Sequence, residues 1–302
     1  LYSINYDIND IDSYFLLAYI SLSFFSVFCF AESLKYFSKK TFSFRIRPAY
    51  FFVIPILILG FNFSRVNQSN IHIFEDYTKS ILSGIEKNSL ILTYQWDYLV
   101  SPAYYFQFVE NFRKDVCIVD KELLRRSWYY KQLDNNYPKV VDEIQNEIIA
   151  FINAVKPFER EDNFDPNLLE TIYRKIMTNL IVTNIDERNC YITPELVQNE
   201  MRIGEFTLPE GFYLVPEGLL FRIVRENRYY KYELYDYEIR KSENNNQYIE
   251  QLKSMISMMY LNRALYEIQF QNIEAAKIYI IKIQEEYPEY RINPEILKLF
   301  EE

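Results

Sequence analysis

The chain has 302 residues, enough for one large domain or two ordinary ones. Its 49% apolar and 25% charged residues are a globular balance and not a disordered one. Five glycines, one histidine (His72), three widely spaced cysteines (Cys29, Cys117, Cys190) and a net charge of −9 argue against a Gly-rich phosphate-binding fold and a nucleic-acid partner, and exclude a multi-histidine metal site and a dense disulfide framework.

The chain opens on Leu1 and not on Met, so we read it as a piece or processed product of a longer protein. The leading segment carries Asp7, Asp10 and Asp12 and no base. Residues 13–31 follow without a charge, and a second uncharged run, with Pro55 in its middle, covers 48–64. A membrane-spanning helix needs roughly 20 apolar residues. The expectation is two transmembrane helices, 13–34 and 48–64, the second kinked at its proline. Two buried core helices are the alternative, and the acids before the first run are the wrong sign for a signal peptide. The connector 35–47 holds Lys35, Lys39, Lys40, Arg45 and Arg47 and no acid. The positive-inside rule makes it a cytoplasmic loop, leaving 1–12 as an outer loop and everything after about residue 64 outside the cytoplasm. Glu32 then reads as an interfacial residue beside the basic loop.

The region 65–240 reads as an extracytoplasmic, Rossmann-like α/β domain. Apolar spacing predicts a helix over 70–87, a buried strand at 89–95, a helix at 101–114, a strand at 115–120 and a helix at 121–138 ended by Pro138. Ser101 and Pro102 suit the start of the second of these helices. Strand, helix, strand, helix in this order is a βαβ pattern with parallel strands. Helices near 139–156 and 166–182, a strand at 189–196 and turn-rich β segments over 204–226 complete the domain. Residues 240–247 read as a linker. The stretch 248–302 is a helical hairpin, with helices over 248–270 and 272–287. Its Ala264, Ala276 and Pro288 are spaced as in a tetratricopeptide unit, so the tail is read as tetratricopeptide-like; an ordinary hairpin docked on the α/β domain is the alternative.

Three groups of residues could carry chemistry. Trp96 and Asp97 lie just past a predicted strand end, where α/β folds place ligands. An indole beside a carboxylate can stack on a sugar ring and bond its hydroxyls, or it can pack and cap a turn. Arg113, Asp115, Asp120, Lys121, Arg125, Arg126, Trp128 and Tyr129 form a second cluster, with arginines suited to carboxylate, phosphate or glycan; intrahelical ion pairing is the alternative. Asp10 and Asp12 form an Asp-x-Asp pair that could hold a divalent cation on a lipid-phosphate donor, or could simply be outer-loop acids. No metal site is assigned. Nucleophile arrangements with Ser, Cys and His cannot be argued.

The block from Ile91 to Pro138 runs strand, Trp-Asp, Tyr-Tyr-Phe-Gln, Arg-x-Asp-Val, Leu-Leu-Arg-Arg-Ser-Trp-Tyr. With CYITPEL, PEGFYLVPEGLLFRIV and the leading NYDINDIDSYF, it resembles the C-terminal region of a bacterial membrane-protein family bearing a domain of unknown function, similar to protein O-mannosyltransferase-like glycosyltransferases of the GT-C type. The resemblance implies a membrane transferase that takes a sugar, possibly mannose, from a polyprenyl-phosphate donor on the outer face and delivers it to a protein or glycan acceptor. It places the catalytic acidic loop in a half of the family that this chain lacks. The chain would then lie at the bacterial inner membrane, hold no cofactor of its own, face the periplasm and handle the acceptor through Trp96, Asp97, Arg113, Arg125, Arg126 and Trp128. The competing reading is a non-enzymatic, membrane-anchored interaction protein whose tetratricopeptide-like tail binds a partner.

Overall fold

The computed structural model describes residues 15–39, 53–234, 237–240, 247–298 and 300. The chain divides into two units, Leu1–Gln68 and Ser69–Glu302.

The first unit holds α1 (Leu16–Lys39) and α2 (Val53–Val66). Within α1, Leu16–Ser33 is long and apolar enough to cross a membrane. Its serines do not interrupt it, because Ser21, Ser23, Ser26 and Ser33 each donate to the carbonyl four residues back. Glu32 pairs with Lys35 at 2.6 Å at the polar end. The expected second spanning helix is not found among the described residues. The 14 residues of α2 would extend only about 21 Å, against a hydrocarbon core of about 30 Å. Pro55, expected in the middle of that helix, is the third residue of α2 as described.

The second unit is a mixed α/β structure around one five-stranded sheet. Its elements are α3 (Ile73–Gly84), β1 (Leu90–Thr93), α4 (Ser101–Phe108), β2 (Cys117–Asp120), α5 (Tyr129–Asn136), α6 (Gln145–Glu159), α7 (Pro166–Asn184), β3 (Cys190–Ile192), β4 (Tyr213–Glu217), β5 (Leu220–Val224), α8 (Gln247–Gln269), α9 (Ile273–Glu286) and α10 (Pro294–Lys298). The strand order is β2-β1-β3-β5-β4. β1 lies parallel to both β2 and β3, while β5 runs antiparallel to β3 and forms a hairpin with β4.

Every residue of β1, β2 and β3 is buried, as parallel strands covered on both faces require. Alternate side chains serve opposite cores. Leu90, Leu92, Cys117, Val119, Cys190 and Ile192 pack with α5, α6 and α7. Ile91, Ile118 and Tyr191 pack with α3, α4, α8 and α9. The hairpin's inner face, with Ala264 and Ala276 fully buried, belongs to this second core. Burial also holds both strand thiols, Cys117 and Cys190, protonated by raising their pKa, so they behave as inert core residues.

Several local expectations are corrected. The helix expected at 101–114 stops at Phe108, and Asn111 and Arg113 then adopt positive φ of 58° and 50°. Ser101 is not a cap, because a wide π-type turn, Trp96–Val100, leads directly into α4. The single helix expected at 121–138 is a tight turn at Leu123–Arg125 followed by α5, because Arg126 goes extended between them. The expected strand at 189–196 is only β3, which ends at Ile192 and is followed by a second wide turn, Leu196–Met201. Most of the predicted linker at 240–247 lies outside the described residues.

Candidate functional site

Chain reversal makes the site. From β1 the chain moves outward to β2, then returns across the sheet to β3 on the other side of β1. The carboxyl ends of β1 and β3 therefore flank a topological switch point, the place where open α/β sheets bind ligands. Buried polar groups collect there. Thr93 and Thr193 hydroxyls lie 3.3 Å apart. Glu195, 1% exposed, accepts a hydrogen bond from the Tyr98 hydroxyl at 2.9 Å on Oε1. Its Oε2 has no hydrogen-bond partner among the described residues. Burial pushes the Glu195 carboxyl up from the ordinary carboxylate range, against the pull of the Tyr98 bond.

At the end of β2, Lys121 is 3% exposed and is held by Glu200 at 2.8 Å and Glu122 at 3.0 Å. Burial opposes its charge, but the two carboxylates outweigh that and hold its pKa above the ordinary value. Its ammonium also lies 5.5 Å from the Tyr94 ring, and the Tyr94 hydroxyl accepts from Asn199 at 2.6 Å. Asp120 caps the turn after β2 by accepting from the Leu123 N–H at 3.0 Å, and burial raises its pKa.

Over these strand ends runs an aromatic strip. Trp96 meets Tyr104 edge-on at 6.3 Å. The Tyr104 and Tyr129 hydroxyls share a hydrogen bond of 3.2 Å. Tyr129 then meets Trp128 edge-on at 5.8 Å, and its hydroxyl accepts from the Asp120 N–H at 2.9 Å. Burial lifts the Tyr104 phenol to about 12, so the hydroxyl pair stays neutral. The two tyrosines are buried or partly buried, whereas Trp96 and Trp128 are 47% and 54% exposed. The arrangement presents two indoles to solvent on a fixed base, with the exposed Asp97 carboxylate next in the chain to Trp96. Indoles so placed can stack on the apolar face of a sugar or an aromatic side chain at low entropy cost.

The remaining candidates lie elsewhere. Arg113 is at the amino ends of the strands, where it pairs with both oxygens of Asp115 at 3.0 Å and donates to the carbonyls of Leu82, Ile85 and Glu86. Asp115 in turn accepts from the Asn88 N–H, just before β1. Arg125 pairs with Glu170 at 2.8 Å and stacks 3.8 Å over the Tyr173 ring. Arg126 is exposed at the mouth of a separate cavity. Asp10 and Asp12 lie outside the described residues. Among the described residues no group of three acids, histidines or cysteines is arranged to hold a metal. Sequence reasoning missed Glu195, Tyr98 and Asn199. The one signal for Glu195 is an acid just past a strand end, in Ile192-Thr193-Pro194-Glu195.

With this geometry in hand, comparison with known proteins gives a relationship. The family TMEM260-associated domain 2 matches residues 74–142. That segment runs from α3 through α5 and contains Trp96, Asp97, Arg113, Arg125, Arg126 and Trp128. The chain is also similar to the protein O-mannosyl-transferase tmem260 of Dictyostelium discoideum, at 21% identity over 191 residues. The alignment covers 61% of this chain and 20% of that protein, so the chain spans about a fifth of the length of the curated relative it matches. No solved structure matches. The chain is thus a distant relative of a protein O-mannosyltransferase.

Proposed function

We propose that this chain is the acceptor-handling part of a membrane glycosyltransferase that moves a sugar, mannose by analogy with its relative, onto a protein or glycan acceptor. The observation that carries the reading is the aromatic strip. Trp96 and Trp128 are exposed far beyond what core packing requires, are joined through the Tyr104–Tyr129 pair, and lie inside the segment matched by the TMEM260-associated family. The sheet with β1 as its switch strand is the doubly wound, Rossmann-like part of the proposal, used here as a platform for an acceptor and not for a nucleotide. A donor carried on polyprenyl phosphate, as in GT-C enzymes, would be served by residues outside this strip; Asp10 and Asp12 remain candidates for that role. The soluble unit is placed on the outer face of a bacterial inner membrane, with α1 in the bilayer. Protease added to intact spheroplasts cleaves it if so, and protection overturns the placement.

The test of function is sugar transfer from radiolabelled polyprenyl-phosphate mannose in membranes that contain the protein. Trp96→Ala with Trp128→Ala is expected to raise the acceptor KM about tenfold or more while leaving the donor KM unchanged, because each indole–ligand stack is worth on the order of 1 kcal/mol. An unchanged acceptor KM overturns the assignment of the strip.

One observation favours the second reading, an anchored interaction module. The helical hairpin exposes Leu265 on α8 and Ile273, Ile278 and Ile281 on α9. That reading predicts no sugar transfer under any donor, together with a partner lost on Ile278→Glu.

A further inference from the structure

A second, separate recess lies between α6, α7 and the turn that precedes α5. It has a volume of about 220 Å³. Phe151 and Val155 of α6 and Leu169 of α7 form its apolar lining. Phe158 and Phe164 stand at its rim, 48% and 38% exposed, with their rings edge-to-face at 5.0 Å. Two arginines border it, and they differ. Arg125 is committed to Glu170 and Tyr173. Arg126 is exposed, and among the described residues its guanidinium has neither a hydrogen bond nor an ion-pair partner. Glu159, at the end of α6, accepts from Ser127, which donates from its hydroxyl at 3.0 Å and its N–H at 3.3 Å.

We propose that this recess is an anchor pocket for a polypeptide, taking one aromatic or branched aliphatic side chain of a segment in which the neighbouring residue is acidic. The proposal deepens the acceptor-handling reading and rests on it for the identification of the partner as a polypeptide. Three features set the chemistry. The volume falls below the roughly 300–1,000 Å³ of pockets that enclose whole small molecules, and suits a single side chain. The lining is apolar and its rim keeps two phenyl rings in water, a surface that gains by being covered. The unpaired guanidinium supplies a planar fork of donors at the mouth, which matches a carboxylate bidentately. An arginine beside an aromatic-lined pocket is also the composition of an interface hot spot.

The test uses the full chain in phosphatidylcholine nanodiscs and a fluorescein-labelled hexapeptide Gly-Ser-Asp-Phe-Ser-Gly, read by fluorescence anisotropy. Saturable binding is expected. Replacing Asp by Asn or Phe by Ala in the peptide should each weaken it about tenfold or more, as should Arg126→Gln, an exposed change that leaves packing alone. Val155→Phe fills the recess and should abolish binding; if that variant does not fold, Phe164→Ala at the exposed rim takes its place and should weaken binding severalfold. No binding, equal binding of the three peptides, or binding indifferent to Arg126→Gln overturns the proposal. So does displacement by decyl phosphate at lower concentration than by unlabelled Asp-Phe peptide, which would assign the recess to a lipid phosphate. Trp96→Ala should leave peptide binding at this recess unchanged, so failure here is distinguishable from failure of the aromatic strip.

Discussion

Arg113 and Glu195 show what a single residue's chemistry reveals in sequence and what only its position reveals. Arg113 looks like an anion receptor, but its guanidinium is spent on Asp115 and on carbonyls at the end of α3, 31 to 27 residues away in the chain. It closes the amino end of the sheet. Arg113→Ala should therefore destabilise the fold by about 2–3 kcal/mol, the scale of hydrogen bonds made by a charged group, and leave acceptor KM unchanged. Urea unfolding beside the transfer assay checks both halves. Trp96 stands out in the sequence as an indole beside a carboxylate past a strand end, and Trp128 as an indole in an arginine-rich cluster; the buried tyrosine pair that links them does not, since it depends on α4 and α5 meeting. Glu195 was hidden for the opposite reason: nothing in its neighbours signals that its side chain is buried. Its folded pKa is raised by burial, so the folded state holds the proton over a pH range where the unfolded chain has lost it. Stability from this group therefore falls as pH rises from the ordinary 4.5 through the raised value. Glu195→Gln keeps an acceptor for Tyr98 and removes the titration. Its stability relative to the parent should be most favourable at pH 8 and should shrink as pH falls to 4.5; a difference independent of pH would refute the assignment.

At the scale of elements, the continuous burial of β1 and β2 and the burial of Ala264 and Ala276 in the helical hairpin were readable, because they follow from the composition of one segment. Lengths and ends were not. The run 48–64 carries the composition of a spanning helix, yet among the described residues the helix covers Val53–Val66, too short to span. The helix after β2 breaks at Arg126 because Asp120 caps one turn and Glu159, from a distant helix, takes the Ser127 N–H. The hairpin is a similar case. Arg263 and Glu267 are spaced for an ordinary surface ion pair on α8, but both are 1% exposed. Arg263 also donates to the Pro216 carbonyl of β4 and to the Tyr230 carbonyl, each at 2.8 Å, while Asn272 donates to the other Glu267 oxygen. The pair thus ties α8 to β4 and to the segment after β5. Arg263→Met strands a buried carboxylate and should cost about 3–5 kcal/mol; adding Glu267→Leu should recover much of that, since removing both charges leaves no unpaired ion. A double-mutant cycle in urea gives both numbers.

For the whole second unit, the chain order of its elements explains why its charge matters more than its net value suggests. The first helix of the unit, α3, is fastened to the segment before α8 through Asp76, which is 8% exposed and accepts from the Arg240 backbone N–H at 2.9 Å and from its guanidinium at 2.6 Å. These residues are 164 positions apart, so the contact closes the unit and is invisible to any local reading of sequence. Burial works against the Asp76 charge, but the Arg240 bonds outweigh it and hold the carboxyl below its ordinary 3.8. Asp115 is likewise held low by Arg113, and Glu170 by Arg125 and Arg174, in each case against burial. For such groups the unfolded chain binds the proton first as pH falls. Their stabilisation is complete above the ordinary carboxylate range and is lost on descending through the lowered folded values. Glu195 and Asp120 act in the opposite direction, so the acid transition is the difference between two sets of carboxyls and not a reflection of the −9 net charge. Asp76→Asn isolates one member of the first set. At pH 7 it should lower unfolding stability by about 1–2 kcal/mol, the value of hydrogen bonds that lose their charge assistance. As pH falls through the lowered folded value the parent's own Asp76 takes up its proton, and the two stability curves should converge. Urea unfolding at pH 7, 4 and 2.5 measures the gap directly, and a gap that stays constant or widens in acid would show that Arg240 does not hold this carboxylate in the folded protein.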